Sequence, residues 1–268
     1  MKNLVYALAL SVFLFSCSGK HESVLVPRVL TETERFNSYQ EGDALFIMKY
    51  GTEDRVKDDK VGQGEFNIKF RDTTIIIQTN PSDPAAKTDK FSFAQYVNTQ
   101  KTTILAQAAG KEGATAPVYL INLNENKVEV ISLSRPSKGA KDKEYTQGLI
   151  KVGKTGFIVN NDFFVTNVNA KAYVLKRQNP DERIQGIYFN LSQDKQTLVF
   201  LTANSLYQVH YPTNQVNTQI LPADKSTTPD LASVYIASNY KWVVNNKIAF
   251  LKKTGGDSNE VVDISSFK

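Results

Sequence analysis

The chain has 268 residues, one cysteine, two histidines and a formal net charge of +5. Hydrophobic residues make up 41% and charged residues 22%, an ordinary globular composition that excludes a disordered or collagen-like chain. A single cysteine excludes an internal disulfide framework, and the basic surplus is spread along the chain, without the clustered face of a nucleic-acid binder.

Lys2 and Asn3 precede a nearly unbroken apolar run from Leu4 to Phe15. That run is too short to span a bilayer comfortably, and it has the length of a signal-peptide core. It closes on Leu14-Phe15-Ser16-Cys17. This ending resembles the lipobox of bacterial lipoproteins: Leu14 matches the first position and Ser16 the third, while Phe15 departs from the small residue usual between them. The resemblance implies acylation of the Cys17 thiol, cleavage before it, loss of residues 1–16, and a lipid bilayer as one partner. Ser18 replaces the Asp that retains such proteins in the inner membrane, and no acidic export run follows Cys17. The expected address is therefore the periplasmic face of the outer membrane, with the cell surface as the alternative.

Residues 17–40 form the lipidated cysteine and a tether, polar and small over Ser18–Ser23. A short helix is expected within 27–40, with Thr31 as N-cap and Glu34 three residues later. From 41 to 268 the pattern is one β-rich domain of short strands between turns. Residues 44–50 are apolar between glycines; Phe66, Ile68 and Phe70 alternate on one face; Ile75-Ile76-Ile77 is a β-branched run. Arg71-Asp72 reads as the two-residue hairpin turn between the last two. Residues 104–109 fit either helix or strand. Further strands are expected at 118–123, 127–133, 163–167, 171–176, 185–190, 196–202, 205–211, 215–221, 233–237 and 247–252. The turns between them include Asn124-Glu125-Asn126, Asn160-Asn161, Pro212-Thr213-Asn214 and Asn245-Asn246.

Two motifs repeat. Val118 to Val128 aligns with Leu206 to Val216, which sets Tyr119 and Tyr207 88 residues apart. Val159-Asn160-Asn161-Asp162-Phe163 aligns with Val244-Asn245-Asn246-Lys247-Ile248, 85 apart. Both spacings are about twice the 40–45 residues of a propeller blade, and Ala172-Tyr173-Val174-Leu175 is the expected intervening copy. Tyr188 to Phe200, with Ser192 and Asp194 in its turn, is similar to a blade of the TolB-like and YVTN-type β-propellers, although Gln193 replaces the usual proline. The resemblance implies an all-β fold of four-stranded antiparallel sheets in propeller-like repeats, roughly five of them. A β-sandwich or two stacked β domains is the alternative.

No catalytic constellation is visible. His210 is the only histidine beyond the tether, no Gly-x-Ser-x-Gly elbow is present, and no histidine pair has zinc-ligand spacing. Gly62-Gln63-Gly64 is too short to cradle a phosphate. Glu53-Asp54 and Asp58-Asp59 share a polar loop with lysines interleaved and read as solvated. No metal, no cofactor and no nucleic acid is expected. Tyr235, Tyr240 and Trp242 cluster near a turn at Ser238-Asn239 and are the candidate binding residues, suited to a sugar or a protein partner. The expected function is a non-enzymatic, membrane-anchored envelope lipoprotein that binds a protein partner or scaffolds a complex. The alternative is a glycan-binding or glycan-cleaving lipoprotein.

Overall fold

The computed structural model describes residues 24–36, 42–49, 65–80, 82–110, 116–135, 148–177, 186, 188–202, 205–221, 229–254 and 262–263. The lipobox and Cys17, the rest of the tether region apart from 24–36, the carboxylate loop at 53–59 and Gly62-Gln63-Gly64 lie outside them.

The first strands are short: β1 (Val24–Leu25), β2 (Arg28–Val29) and β3 (Glu34–Arg35). β4 (Leu45–Lys49), β5 (Phe66–Phe70), β6 (Thr73–Thr74), β7 (Ile76–Gln78) and β8 (Lys87–Thr88) follow. A first meander then runs through β9 (Phe91–Tyr96), β10 (Thr103–Ala108), β11 (Val118–Asn124) and β12 (Lys127–Ser132). A second comprises β13 (Leu149–Val152), β14 (Gly156–Val159), β15 (Phe163–Thr166) and β16 (Lys171–Val174). A third comprises β17 (Tyr188–Leu191), β18 (Thr197–Leu201), β19 (Ser205–His210) and β20 (Gln215–Ile220). Helix α1 (Pro229–Asn239) leads into the hairpin β21 (Tyr240–Asn245) and β22 (Ile248–Lys253), and β23 (Val262–Asp263) pairs with β20.

The fold is all-β with several antiparallel sheets, as expected, and the sheets form no closed ring among the described residues. Each meander is buried on both faces, so its strands read as apolar runs rather than clean alternations. Val118 to Leu123 and Thr197 to Leu201 are buried without a break. Phe93 meets Phe157 edge-on at 5.6 Å between the first and second sheets. Phe164 and Tyr173 both meet Tyr211 of the third layer, at 4.6 and 4.7 Å. Val199, Leu201 and Leu206 pack with Ala232, Ile236, Tyr240 and Leu251 of the helix and last hairpin.

Tyr119 and Tyr207 lie in the third strands of the first and third meanders, with a whole sheet between them. The intervening copy is Phe163, 44 residues from each, and not the stretch 172–175, most of which is β16. Each of the three rings sits in a different core cluster, Phe163 between the first and second sheets and Tyr207 between the second and third. The second repeated motif marks two hairpins. Asn160 and Asn161 take φ of 52° and 56°, and Asn246 and Lys247 take 47° and 67°, the left-handed region that such turns require and asparagine tolerates. Arg71-Asp72 closes the β5–β6 hairpin between paired Phe70 and Thr73.

Two expectations are corrected. Over 27–36 the chain is extended and Thr31 caps no helix, because strands of two residues gain their pairing from distant partners that local pattern does not reveal. Residues 233–237 lie in α1, although Val234, Tyr235 and Ile236 favour strand by propensity. Tertiary burial of Ala232 and Ile236, four apart on one helical face, overrides that preference. Residues 104–109, open between helix and strand, belong to β10 up to Ala108.

The strands β1, β2 and β3 make a strap. β1 pairs parallel with β7, β2 parallel with β12, and β3 antiparallel with β16, so thirteen residues add a strand to three different sheets. Leu30 and Phe36 plug the core between the first two meanders at 1% and 3% exposure. Backbone bonds pin both, Leu30 N–H to Ser132 C=O at 3.1 Å and Phe36 N–H to Ala170 C=O at 2.8 Å.

Candidate functional site

The strap leaves a cleft at the outer edge of the first sheet. β2 covers only Ile131 and Ser132 of β12, and the strand begins at Lys127, four residues earlier. Along Lys127–Val130 the edge faces a cleft of about 500 Å³ whose far wall is Leu25, Val26 and Arg28. Backbone direction follows from two bonds. Ser132 C=O accepts from Leu30 on the outer side, and Leu133 N–H donates inward to Val118 C=O. Polar groups alternate along a strand, so Val128 turns its N–H and C=O outward into the cleft. No strand pairs with Val128 on that side among the described residues.

A second pocket of about 380 Å³ adjoins the cleft and shares Leu25, Lys127 and Val128 with it. Its remaining wall is Phe70 and Thr73-Thr74-Ile75. Arg28 closes the other end. Its Nη2 meets Glu34 Oε1 at 2.7 Å and its Nε bonds Glu129, which fixes the strap against β12. Lys127 stands exposed on the rim and carries no ion pair among the described residues.

The three aromatics named from sequence lie together at the α1–β21 junction. Tyr240 is 7% exposed, and burial raises its phenol well above the usual value. Tyr235 packs edge-on against it at 6.0 Å, and Tyr235 and Trp242 are half-buried on the same cluster. The expected turn at Ser238-Asn239 is the end of α1, where Asn239 Nδ2 donates to Tyr235 C=O at 2.9 Å.

His210 is buried at the end of β19. Its Nδ1 lies 2.7 Å from Thr213 Oγ1 and its Nε2 3.2 Å from Gln196 Oε1. Burial holds its pKa below the ordinary value, partly offset by Asp194. Both ring nitrogens are engaged by neutral turn residues. The neighbouring turn is built as its sequence implied: Ser192 Oγ accepts from Thr197 N–H at 2.9 Å, and Asp194 Oδ1 accepts from Gln196 N–H at 3.1 Å.

Sequence reading passed over a buried ionic cluster. Asp162 has no exposed side chain and receives Arg177 through Nε at 2.7 Å and Nη2 at 2.8 Å, with Arg135 Nη2 at 2.8 Å. Arg135 also donates to Leu175 C=O at 2.9 Å, and Arg177 to Arg135 C=O. Asp162 follows the Asn160-Asn161 turn, and its partners lie 27 and 15 residues away, beyond any local signal. The cluster ties the exits of the first and second meanders to the β14–β15 loop.

Among the described residues no group of three His, Cys, Asp or Glu could hold a metal ion, and no helix is long and apolar enough to cross a membrane. No protein-family model matches the chain, no curated protein is similar to it, and no solved structure matches its fold.

Proposed function

We propose that this chain is a lipid-anchored envelope protein whose β domain holds a protein partner and performs no chemistry of its own. One observation carries the reading: the strap begins seven residues after Cys17 and is woven into three sheets. An acylated Cys17 would thus be joined to the domain through paired backbone, with only Ser18–Ser23 between them in the chain. Each buried CH₂ of an acyl chain contributes about 0.8 kcal/mol, so several chains anchor firmly. The periplasmic face of the outer membrane is the proposed address.

The 44-residue spacing of Tyr119, Phe163 and Tyr207 supports a propeller-like stack of blades. Burial of every meander on both faces fits stacked sandwich layers equally well. Either architecture offers edges and loops for partners without specifying one.

A second reading, a glycan binder, draws on Tyr235 and Trp242, whose half-buried rings reach solvent beside α1. A pull-down from detergent-solubilised envelope separates the two. A stoichiometric protein partner supports the first reading, and retention on polysaccharide without one supports the second.

A further inference from the structure

We propose that the cleft beside the strap receives an extended peptide segment of the partner protein, which adds as a strand to the outer edge of β12 and seats one apolar side chain in the adjoining pocket. This rests on the partner-binding reading above and names its site.

The backbone sets the chemistry of the occupant. Val128 presents an N–H and a C=O to the cleft, and β2 stops short of it. Edge groups of this kind are matched by another main chain in extended conformation. The cleft is bounded rather than open-ended: Arg28, held by Glu34 and Glu129, blocks the end where β2 begins. An added strand therefore runs from Arg28 toward the β11–β12 turn at Glu125-Asn126. Beyond it lies the pocket formed by Phe70, Ile75, Val128 and Leu25, apolar at its floor. Alternate side chains of a strand point to one face, so one side chain of the guest faces the pocket while its neighbours face away. The rim carries both signs, exposed Lys127 beside exposed Glu125, and complements a guest that bears one residue of each charge. A sugar hydroxyl can bond an amide or a carbonyl, but a sugar carries no apolar side chain to seat in the pocket.

The test uses the mature, membrane-anchored chain with a photo-crosslinking benzoylphenylalanine at position 127, or in a second variant at Val234, which is 65% exposed on α1. The proposal requires an adduct from position 127 that maps to an extended, apolar segment of another protein. That segment, made as a synthetic peptide, must bind the purified domain. Val128→Pro must weaken binding about tenfold by removing one edge donor. Proline is tolerated where an edge N–H faces outward, so the fold should survive, and a thermal melt checks this. Should Val128→Pro fail to fold, Thr73→Trp, which fills the pocket from its exposed rim, takes its place with the same expected loss. An adduct from Val234 but none from 127 overturns the cleft and leaves the partner reading standing. An adduct to the chain's own tether or to a second copy also overturns the proposal. No protein adduct from either position removes the partner-binding reading itself.

Discussion

Arg177 grips Asp162 with two parallel bonds, Nε to Oδ1 at 2.7 Å and Nη2 to Oδ2 at 2.8 Å, and both side chains are almost wholly withdrawn from water. The pair joins the segment after β16 to the loop between β14 and β15. A fork-to-carboxylate geometry of this kind fixes orientation as well as charge. Arg135 brings the exit of the first meander into the same cluster, so one carboxylate sets the spacing of two sheets.

Asp162→Asn should destabilise the fold by about 3 kcal/mol. It leaves two guanidinium groups, one of them buried, without their counter-charge. Chemical denaturation of the variant beside the parent checks the size of the loss. A change under about 0.5 kcal/mol, as at an ordinary surface site, would show that the cluster is not a structural lock.

The strap should be integral to the domain. Leu30→Ala removes a side chain that is 1% exposed in the core between the first two meanders. A loss of about 3 kcal/mol is expected, the usual range for a buried leucine. Thermal or urea unfolding reads it. A melt identical to the parent's would mean that the strap is a peripheral attachment.

Stability should fall on acidification, partly through His210. Burial lowers its folded pKa, so the unfolded chain protonates first as pH falls. The contribution is fully present above the unfolded value near 6.5 and is lost as pH falls through the folded value. His210→Gln should flatten the decline in melting temperature between about pH 7 and pH 5, and it should leave partner binding intact. Loss of function with an unchanged melt would point instead to catalysis around β19.

Tyr240→Ala should lower the melt strongly, by about 3 kcal/mol of stability, since the ring is 7% exposed among Leu201, Leu206 and Leu251. Trp242→Ala distinguishes contact from core. Lost binding with a normal melt makes the half-buried indole a contact residue, and a lowered melt with retained binding makes it part of the helix–hairpin packing.

The parts of the fold legible in sequence were those with a local cause. Asn160-Asn161 announced a hairpin because asparagine tolerates positive φ, Asn245-Asn246 announced one that turns a residue later at Asn246-Lys247, and Ser192 with Asp194 announced a turn because both side chains reach nearby amides. β14 went unnoticed because a short strand buried on both faces lacks a two-residue alternation, and β13 and β21 because their half-buried and exposed residues follow no such alternation either. The strap and the cleft depend on pairings such as Arg28 with Ile131, more than a hundred residues apart. Nothing near Arg28 in the chain announces that partner. Val128 reads as one more strand valine until the partial coverage of β12 by β2 is known.

Membrane fractionation of Cys17→Ala tests the central claim most directly, because anchor and domain are joined only through the seven residues from Cys17 to Ser23. The variant should leave the membrane for the soluble periplasmic fraction and melt at the same temperature as the parent domain. Retention on the membrane in high salt would contradict lipid anchoring at Cys17.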